Sequence, residues 1–456
     1  MQQTARPLIQ GKTGFTILEA VVSLGVLGIF FTAIATILQI TLRTVGESRV
    51  RTVAAALAQE KLETARNLPY ALVGTIGGIP NVPNGLPQEE VISINGQDFT
   101  VKTNIVFIDD PFDGLGETDS IPTDYKRIRV SVEWGGPYQS RLPLVLLSDI
   151  APQGLETLSG LGTLSIVVFN AQGDPVAGAQ VHLEAPNLTP AVNLDTITNS
   201  EGKVYLPGVQ PCFECYQVTV TKTGYSTDRT FGTTEVANPA KPHLSVYQGQ
   251  VSQNSFAIDQ LATITVTATS SRESGYIPFS GVEFTLQGTK TVGTNTLDEP
   301  VYKVNQNYVT GGGGNVTISN LEWDIYKIII PEDSSIDFAG SIPLNPFAVG
   351  PGGHPYITLV TTANSPHSLV VTVTDPAKNP LPNATITIAT DAAIATKSAG
   401  PTGRGDLGQA IFSFLNQTTY NILITLTGYI EATSSVSVSN DVQELFILNP
   451  NPTPTP

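Results

Sequence analysis

Lys12-Thr13-Gly14-Phe15-Thr16-Ile17-Leu18-Glu19 leads into an uncharged run from Ala20 to Leu42. As a helix those 23 residues would span about 34 Å, enough to cross a hydrocarbon core of about 30 Å. Arg6 and Lys12 precede the run, which places the N-terminus on the cytoplasmic side. No small-residue secretory cleavage site follows it, so hydropathy alone reads as an uncleaved signal anchor. Glu19 departs from that reading. A carboxylate at the start of an apolar helix is costly without a partner, which makes Glu19 a candidate functional residue.

Further along, Ala54, Leu57, Ala58, Leu62 and Ala65 recur at helical spacing, with Arg49, Arg51, Glu60 and Glu63 interleaved. The pattern predicts one helix from Phe15 to about Leu68, ended by Pro69. Its first half is membrane-like. Its second half is amphipathic and suited to packing on a small sheet.

The stretch from Lys12 to Glu19 resembles the type IV prepilin cleavage motif. The resemblance implies that a prepilin peptidase cuts between Gly14 and Phe15 and methylates the new amino group of Phe15. It implies that Glu19 pairs with the terminal amine of a neighbouring pilin subunit during assembly, an ammonium being the natural partner for a carboxylate in a low-dielectric layer. Major pilins often carry a proline midway through this segment. Here the apolar run has none, which leans towards a minor pilin or pseudopilin.

Charge is unevenly spread. Residues 1–70 carry seven Lys/Arg against four Asp/Glu, leaving −19 on the rest of a chain whose net charge is −16. An acidic body excludes nucleic acid as a partner, because that binding rests on neutralised phosphates. With 41 Gly, 33 Pro and only 14% charged residues, the composition is that of a β-rich, turn-rich, extracytoplasmic protein. A single-pass protein of the cytoplasmic membrane follows, with its body outside and a place at the cell surface or in a pilus after assembly.

Residues 69–153 read as a pilin-type β domain. Asn95-Gly96 is a hairpin signal between Val91, Ile92 and Ile94 on one side and Phe99 and Val101 on the other. Phe99, Val101, Ile105 and Phe107 share a face. Ile128, Val130, Val132 and Trp134 alternate with charged or polar residues, as in a half-buried antiparallel strand. The segment from Asp124 to Trp134 resembles the strand that follows the long helix in minor pilins. The acidic loop between these strands offers Asp109, Asp110 and Asp113 as weak calcium candidates. It lacks EF-hand spacing, and a solvated acidic loop is the favoured alternative. No other cofactor is expected.

After Gly154 an internal repeat begins. Leu164–Val168, Ala179–Leu183, Gly202–Leu206, Tyr216–Val220 and Gly224-Tyr225 return about 204 residues later as Leu369–Val373, Ala384–Ile388, Gly408–Ile411, Tyr420–Ile424 and Gly428-Tyr429. A looser middle copy has Ile264–Val266, Val282–Leu286, Gly314–Ile318 and Tyr326–Ile330. Phe256–Ile258, Tyr356–Leu359 and Leu445–Ile447 are candidate closing strands. Each unit is sandwich-sized. The order of strands and turns resembles the carboxypeptidase regulatory-like module, a transthyretin-like or Ig-like sandwich that is usually a non-catalytic spacer or binding unit. The expected fold is an α+β pilin domain followed by all-β Ig-like sandwiches. The expected organisation is leader 1–14, transmembrane and assembly helix 15–68, β domain 69–153, modules 160–259, 260–362 and 363–449, and a Pro-rich tail 450–456.

Cys212 and Cys215 form the single C-x-x-C. Zinc would need two further ligands, and a thioredoxin-like site would need a βαβ setting. A local disulfide fits an exported protein best, with free thiols and redox or metal work as alternatives. Arg404-Gly405-Asp406 spells a cell-adhesion triplet, but such triplets often occur by chance, and a chance occurrence in a Gly-rich turn is the favoured reading. Gly311–Gly314 lacks the Lys-Ser/Thr of a phosphate loop. The four His are scattered, and neither H-E-x-x-H nor G-x-S-x-G occurs. The chain is therefore read as a non-enzymatic filament subunit, a minor or tip pilin whose modules contact an extracellular ligand of unknown identity. A pseudopilin of a secretion or DNA-uptake machine is the alternative, and a pilin-anchored surface enzyme is a remote one.

Overall fold

Thr16 marks the start of the long helix. Its backbone is extended (φ −77°, ψ 149°), and its Oγ1 accepts the N–H of Glu19 at 3.3 Å, satisfying one of the free donors of the first turn. The helix α1 (Ile17–Arg66) then runs 50 residues without interruption, about 75 Å at 1.5 Å per residue. This computed structural model describes residues 16–109, 124–139, 142–152, 160–391 and 393–452.

Polar groups inside the apolar stretch of α1 are satisfied within the helix. The hydroxyls of Thr32, Thr36, Thr41 and Thr44 each donate to a carbonyl one turn back, at 2.8 to 2.9 Å. The helix ends at Arg66, slightly before Leu68. Asn67 caps it through its N–H to the carbonyls of Glu63 and Ala65, since the residue next to Pro69 is driven away from helical geometry.

A four-stranded antiparallel sheet follows, in the order β1 (Glu89–Ile94), β2 (Gln97–Ile108), β3 (Tyr125–Trp134), β4 (Leu144–Ile150). Asn95 (φ 52°) and Gly96 (φ 80°) form the two-residue turn between β1 and β2, the left-handed pair that matches strand twist. Phe99, Val101 and Ile105 of β2 and Ile128, Val130, Val132 and Trp134 of β3 form one core with Ala54, Leu57, Ala58, Leu62 and Ala65 of α1. The three alanines on that helical face leave room for the sheet to approach closely. Tyr138, just after β3, packs against Gly46 of α1, and its carbonyl accepts the Trp134 Nε1–H at 2.6 Å.

The chain divides into two compact units, one built on α1 and this sheet, the other on most of the remaining strands. The second unit repeats a two-sheet plan. Its first copy centres on Gly162–Phe169, paired in parallel with Val251–Ala257, opposite a sheet containing Gln180–Ala185 and Cys212–Thr221. The second centres on Ala262–Ser270, parallel to Tyr356–Ala363 and antiparallel to Asn315–Leu321, opposite Glu283–Gly288 and Asp324–Ile329. The third centres on Leu369–Thr374, parallel to Val442–Ile447 and antiparallel to Gln409–Phe412, opposite Thr385–Ala389 and Thr418–Thr425. In every copy the opening strand pairs in parallel with the closing one. The middle copy, loosest in sequence, keeps the same plan.

Candidate functional site

Among the described residues, nothing packs against the N-terminal half of α1. Side chains from Ile17 to Val45 are exposed, with Ile17 at 86%, Leu24 at 76% and Phe30 at 61%. A continuous apolar surface of this size is rarely left to water in a soluble monomer and marks an interaction site for a membrane or another protein. The helix is long and apolar enough to cross a membrane. Glu19 lies in its first turn and is exposed, three residues after the cap Thr16. Its backbone N–H, not its carboxylate, is what the Thr16 cap holds. Gly14 and Phe15 lie outside the described residues.

Asp110 and Asp113 also lie outside the described residues, and Asp109 stands at the end of β2. Among the described residues, no group of three or more His, Cys, Asp or Glu side chains is placed to hold a metal ion.

Cys212 and Cys215 are joined as a disulfide, their Cα atoms 5.9 Å apart. Glu214 between them takes a positive φ of 47°, and its N–H donates to Ser245 Oγ at 2.8 Å, which holds the small loop against the neighbouring strand.

The Arg404-Gly405-Asp406 triplet is not displayed. Asp406 is buried at 5% exposure. One of its oxygens accepts Arg272 Nη2 at 2.6 Å and Nε at 3.0 Å, and the other accepts the Tyr276 hydroxyl at 2.8 Å. Arg404 stacks over the Tyr276 ring, 5.0 Å from its centre. Burial and the hydrogen bond to Asp406 both push the Tyr276 hydroxyl pKa up. Beside this cluster Gln409 and Ser341 exchange hydrogen bonds, with Nε2 donating to the Ser341 carbonyl at 2.8 Å and Oε1 accepting its N–H at 3.1 Å. Val370 and Ile411 of the third sandwich belong to the core of the second. The triplet is thus part of a packed joint between the second and third sandwiches, with its carboxylate spent inside the protein.

Two side chains carry weight that no motif announced. Lys126 on β3 is 3% exposed, with its ammonium donating to the Tyr70 carbonyl at 2.9 Å and lying 4.4 Å from the Tyr70 ring centre. His182 bridges Asp195 at 2.7 Å and Glu184 at 2.8 Å. Burial pulls its imidazole pKa down, but the bonds to Glu184 and Asp195 outweigh that, and the net direction is up. Alternation of polar and apolar residues along a strand signalled His182, whereas Lys126 falls on the inward face in phase with Ile128 and Val130 and had no such signal.

Residues 163–273 match the carboxypeptidase regulatory-like domain, which spans the first sandwich and runs into the second. No curated protein matches the chain. Among solved structures, the Bacillus anthracis TIE protein is 14% identical over 80% of this chain and 74% of its own, with a TM-score of 0.19. A streptococcal ancillary pilin is 14% identical over 64% of this chain and 99% of its own, with a TM-score of 0.18. The minor pilin of Streptococcus agalactiae is 12% identical over 44% of this chain and 96% of its own, with a TM-score of 0.23. Likeness at these scores carries no argument about fold or function.

Proposed function

We propose that the chain is a type IV pilin-like subunit, cleaved between Gly14 and Phe15 and N-methylated at Phe15. In this reading α1 holds it in the cytoplasmic membrane until it is drawn into a filament, with Glu19 pairing to a neighbour's terminal amine. The sandwiches are then presented outside the cell to bind a surface or ligand. The observation that supports this best is the two-part character of α1. One continuous helix leaves its apolar half bare and packs its alanine-rich half on a four-stranded antiparallel sheet. A plain signal anchor has no need of the second half, whereas a filament subunit needs both, one to assemble and one to carry the body.

Three sandwiches on each copy are bulky for every position of a filament, which favours a low-copy or tip role. N-terminal mass spectrometry of the native protein tests the reading. An N-methylated Phe15 start is expected, and an intact Met1 start beside a working prepilin peptidase refutes it.

A further inference from the structure

One side of the first sandwich is open. Its two edge strands there, Leu244–Val246 of one sheet and Val251–Ala257 of the other, do not pair with each other. A groove of about 590 Å³ runs along them, within the range of roughly 300–1,000 Å³ that small-molecule sites occupy.

The lining is polar where the other sandwiches are mostly apolar. Ser252, Asn254 and Phe256 share one face of the closing strand, in register with Leu164, Ile166 and Val168. Phe256 is fully buried in the core, whereas Ser252 and Asn254 are half-buried and line the groove. In the second sandwich the inward face of the closing strand carries Ile357 and Leu359, both buried. In the third, Val442 and Phe446 flank Glu444 and pack on the core.

These polar side chains have no partner in the fold. Among the described residues, the side chains of Tyr247, Ser252, Gln253, Asn254 and Ser255 make no hydrogen bond, so they are left to solvent or a ligand. Ser245 Oγ accepts the Glu214 N–H at 2.8 Å and keeps its own proton to donate. Tyr247 is 50% exposed and offers a flat apolar ring with a polar tip.

Charge decides which polar ligand fits. Lys241, the one lysine of the lining, is paired with Asp228. Burial pulls the His243 pKa below its ordinary value, so its imidazole is uncharged at neutral pH. Glu214 is the single carboxylate of the lining. No cation is free to hold an anion, and recognition falls to hydroxyls, amides and one aromatic ring.

We propose that this groove binds a neutral glycan through one or two hexose units, stacked on Tyr247 and hydrogen-bonded by Ser252, Gln253 and Asn254. A side-chain amide has two donors and an acceptor, which match adjacent ring hydroxyls, and the C–H face of the sugar covers an aromatic plane. The idea deepens the display reading and rests on it only for the source of the glycan, a surface outside the cell. Sugar titration of the purified chain tests the groove and filament incorporation tests the display, so each can fail alone.

The experiment is isothermal titration of the full chain, in a detergent without a sugar headgroup, with neutral trisaccharides of glucose, galactose, mannose and N-acetylglucosamine and with trigalacturonate. Binding of at least one neutral sugar is expected, and binding of trigalacturonate is not. Tyr247→Ala and Asn254→Leu, the second copying the apolar face of the second sandwich, should each weaken binding about tenfold or more. Gln443→Ala, at the position of the third sandwich that corresponds to Gln253, should leave binding unchanged. In the unsubstituted chain the bound sugar should also slow hydrogen exchange over residues 251–257 and not over 442–447, a measurement that needs no variant to fold. Absence of binding by every neutral sugar at about 10 mM, equal binding of trigalacturonate, binding that Tyr247→Ala and Asn254→Leu leave unchanged, loss of binding in Gln443→Ala, or exchange that the sugar does not slow over 251–257 would each overturn the proposal.

Discussion

Asp406→Ala removes the centre of the joint between the second and third sandwiches. The carboxylate is 5% exposed and holds three hydrogen bonds, two from Arg272 and one from Tyr276. Taking one partner from a buried ion pair costs about 3–5 kcal/mol, mainly because the other charge is stranded. Arg272 is less than fully buried, with about a third of its side chain (32%) exposed, and it keeps the Ser398 carbonyl at 2.7 Å. The expected loss therefore sits at the lower end, about 3 kcal/mol. For a cooperative unit of roughly 150–250 residues, that lowers the unfolding midpoint by roughly 6–12 °C. Thermal unfolding followed by circular dichroism measures the midpoint, and hydrogen exchange shows where protection is lost. The Ser341 and Gln409 amides, both in the joint, should exchange faster, while those of Val130 and Val132 in β3 should not change. Replacing both partners, Arg272→Met with Asp406→Leu, removes the stranded charge and should recover most of the loss. A midpoint unchanged in Asp406→Ala, or a double variant no better than the single one, refutes the account of Asp406 as a buried structural partner.

Glu19→Ala should still be processed, since the prepilin resemblance ties cleavage to Gly14, but it should be depleted from sheared filaments on immunoblots, because a desolvated ammonium left without its carboxylate costs about 3–5 kcal/mol; wild-type incorporation would falsify the pairing role. Gly46→Ala adds about 1 kcal/mol of helix propensity yet drives a methyl into the Tyr138 ring, so urea unfolding should show destabilisation in the native background and stabilisation when Tyr138→Ala is already present. His182 should titrate by NMR above its ordinary value near 6.5, and Asp195→Asn should bring it down. Because its folded-state pKa is raised, its contribution to stability is present below the ordinary pKa and fades as pH rises through the folded one. Stability that increases over that window on account of His182 would contradict the geometry.

Much of the architecture was legible because it rests on short-range pattern. Ala54, Leu57, Ala58, Leu62 and Ala65 fall on one face of any α-helix, and they are the buried residues of α1. Asn95-Gly96 tolerates left-handed backbone that other residues resist, so it marked the β1–β2 turn before any pairing was known. The opening strands of the sandwiches were readable as runs rich in β-branched residues, whereas the closing strands were marked only by short apolar stretches such as Phe256–Ile258 and Leu445–Ile447. The end of α1 was misplaced slightly because Asn67 supplies a backbone cap ahead of Pro69.

The joints were not legible, and the reason is distance along the chain. Asp406 could be read only as the end of a chance triplet in a turn, because a Gly-rich triplet says nothing of Arg272, 134 residues away. Gln409 and Ser341 meet across 68 residues, and nothing local distinguishes that glutamine from a surface one. Lys303 reaches the Thr227 carbonyl of the preceding sandwich across 76 residues, a contact that no local pattern signals. Periodicity and turn chemistry are written in neighbouring residues, so sequence alone determined the long apolar helix, the hairpin and the repeated strand plan. Which charges are buried, paired or left over depends on which loops the folded sheets bring together, and that was decided only by tertiary structure.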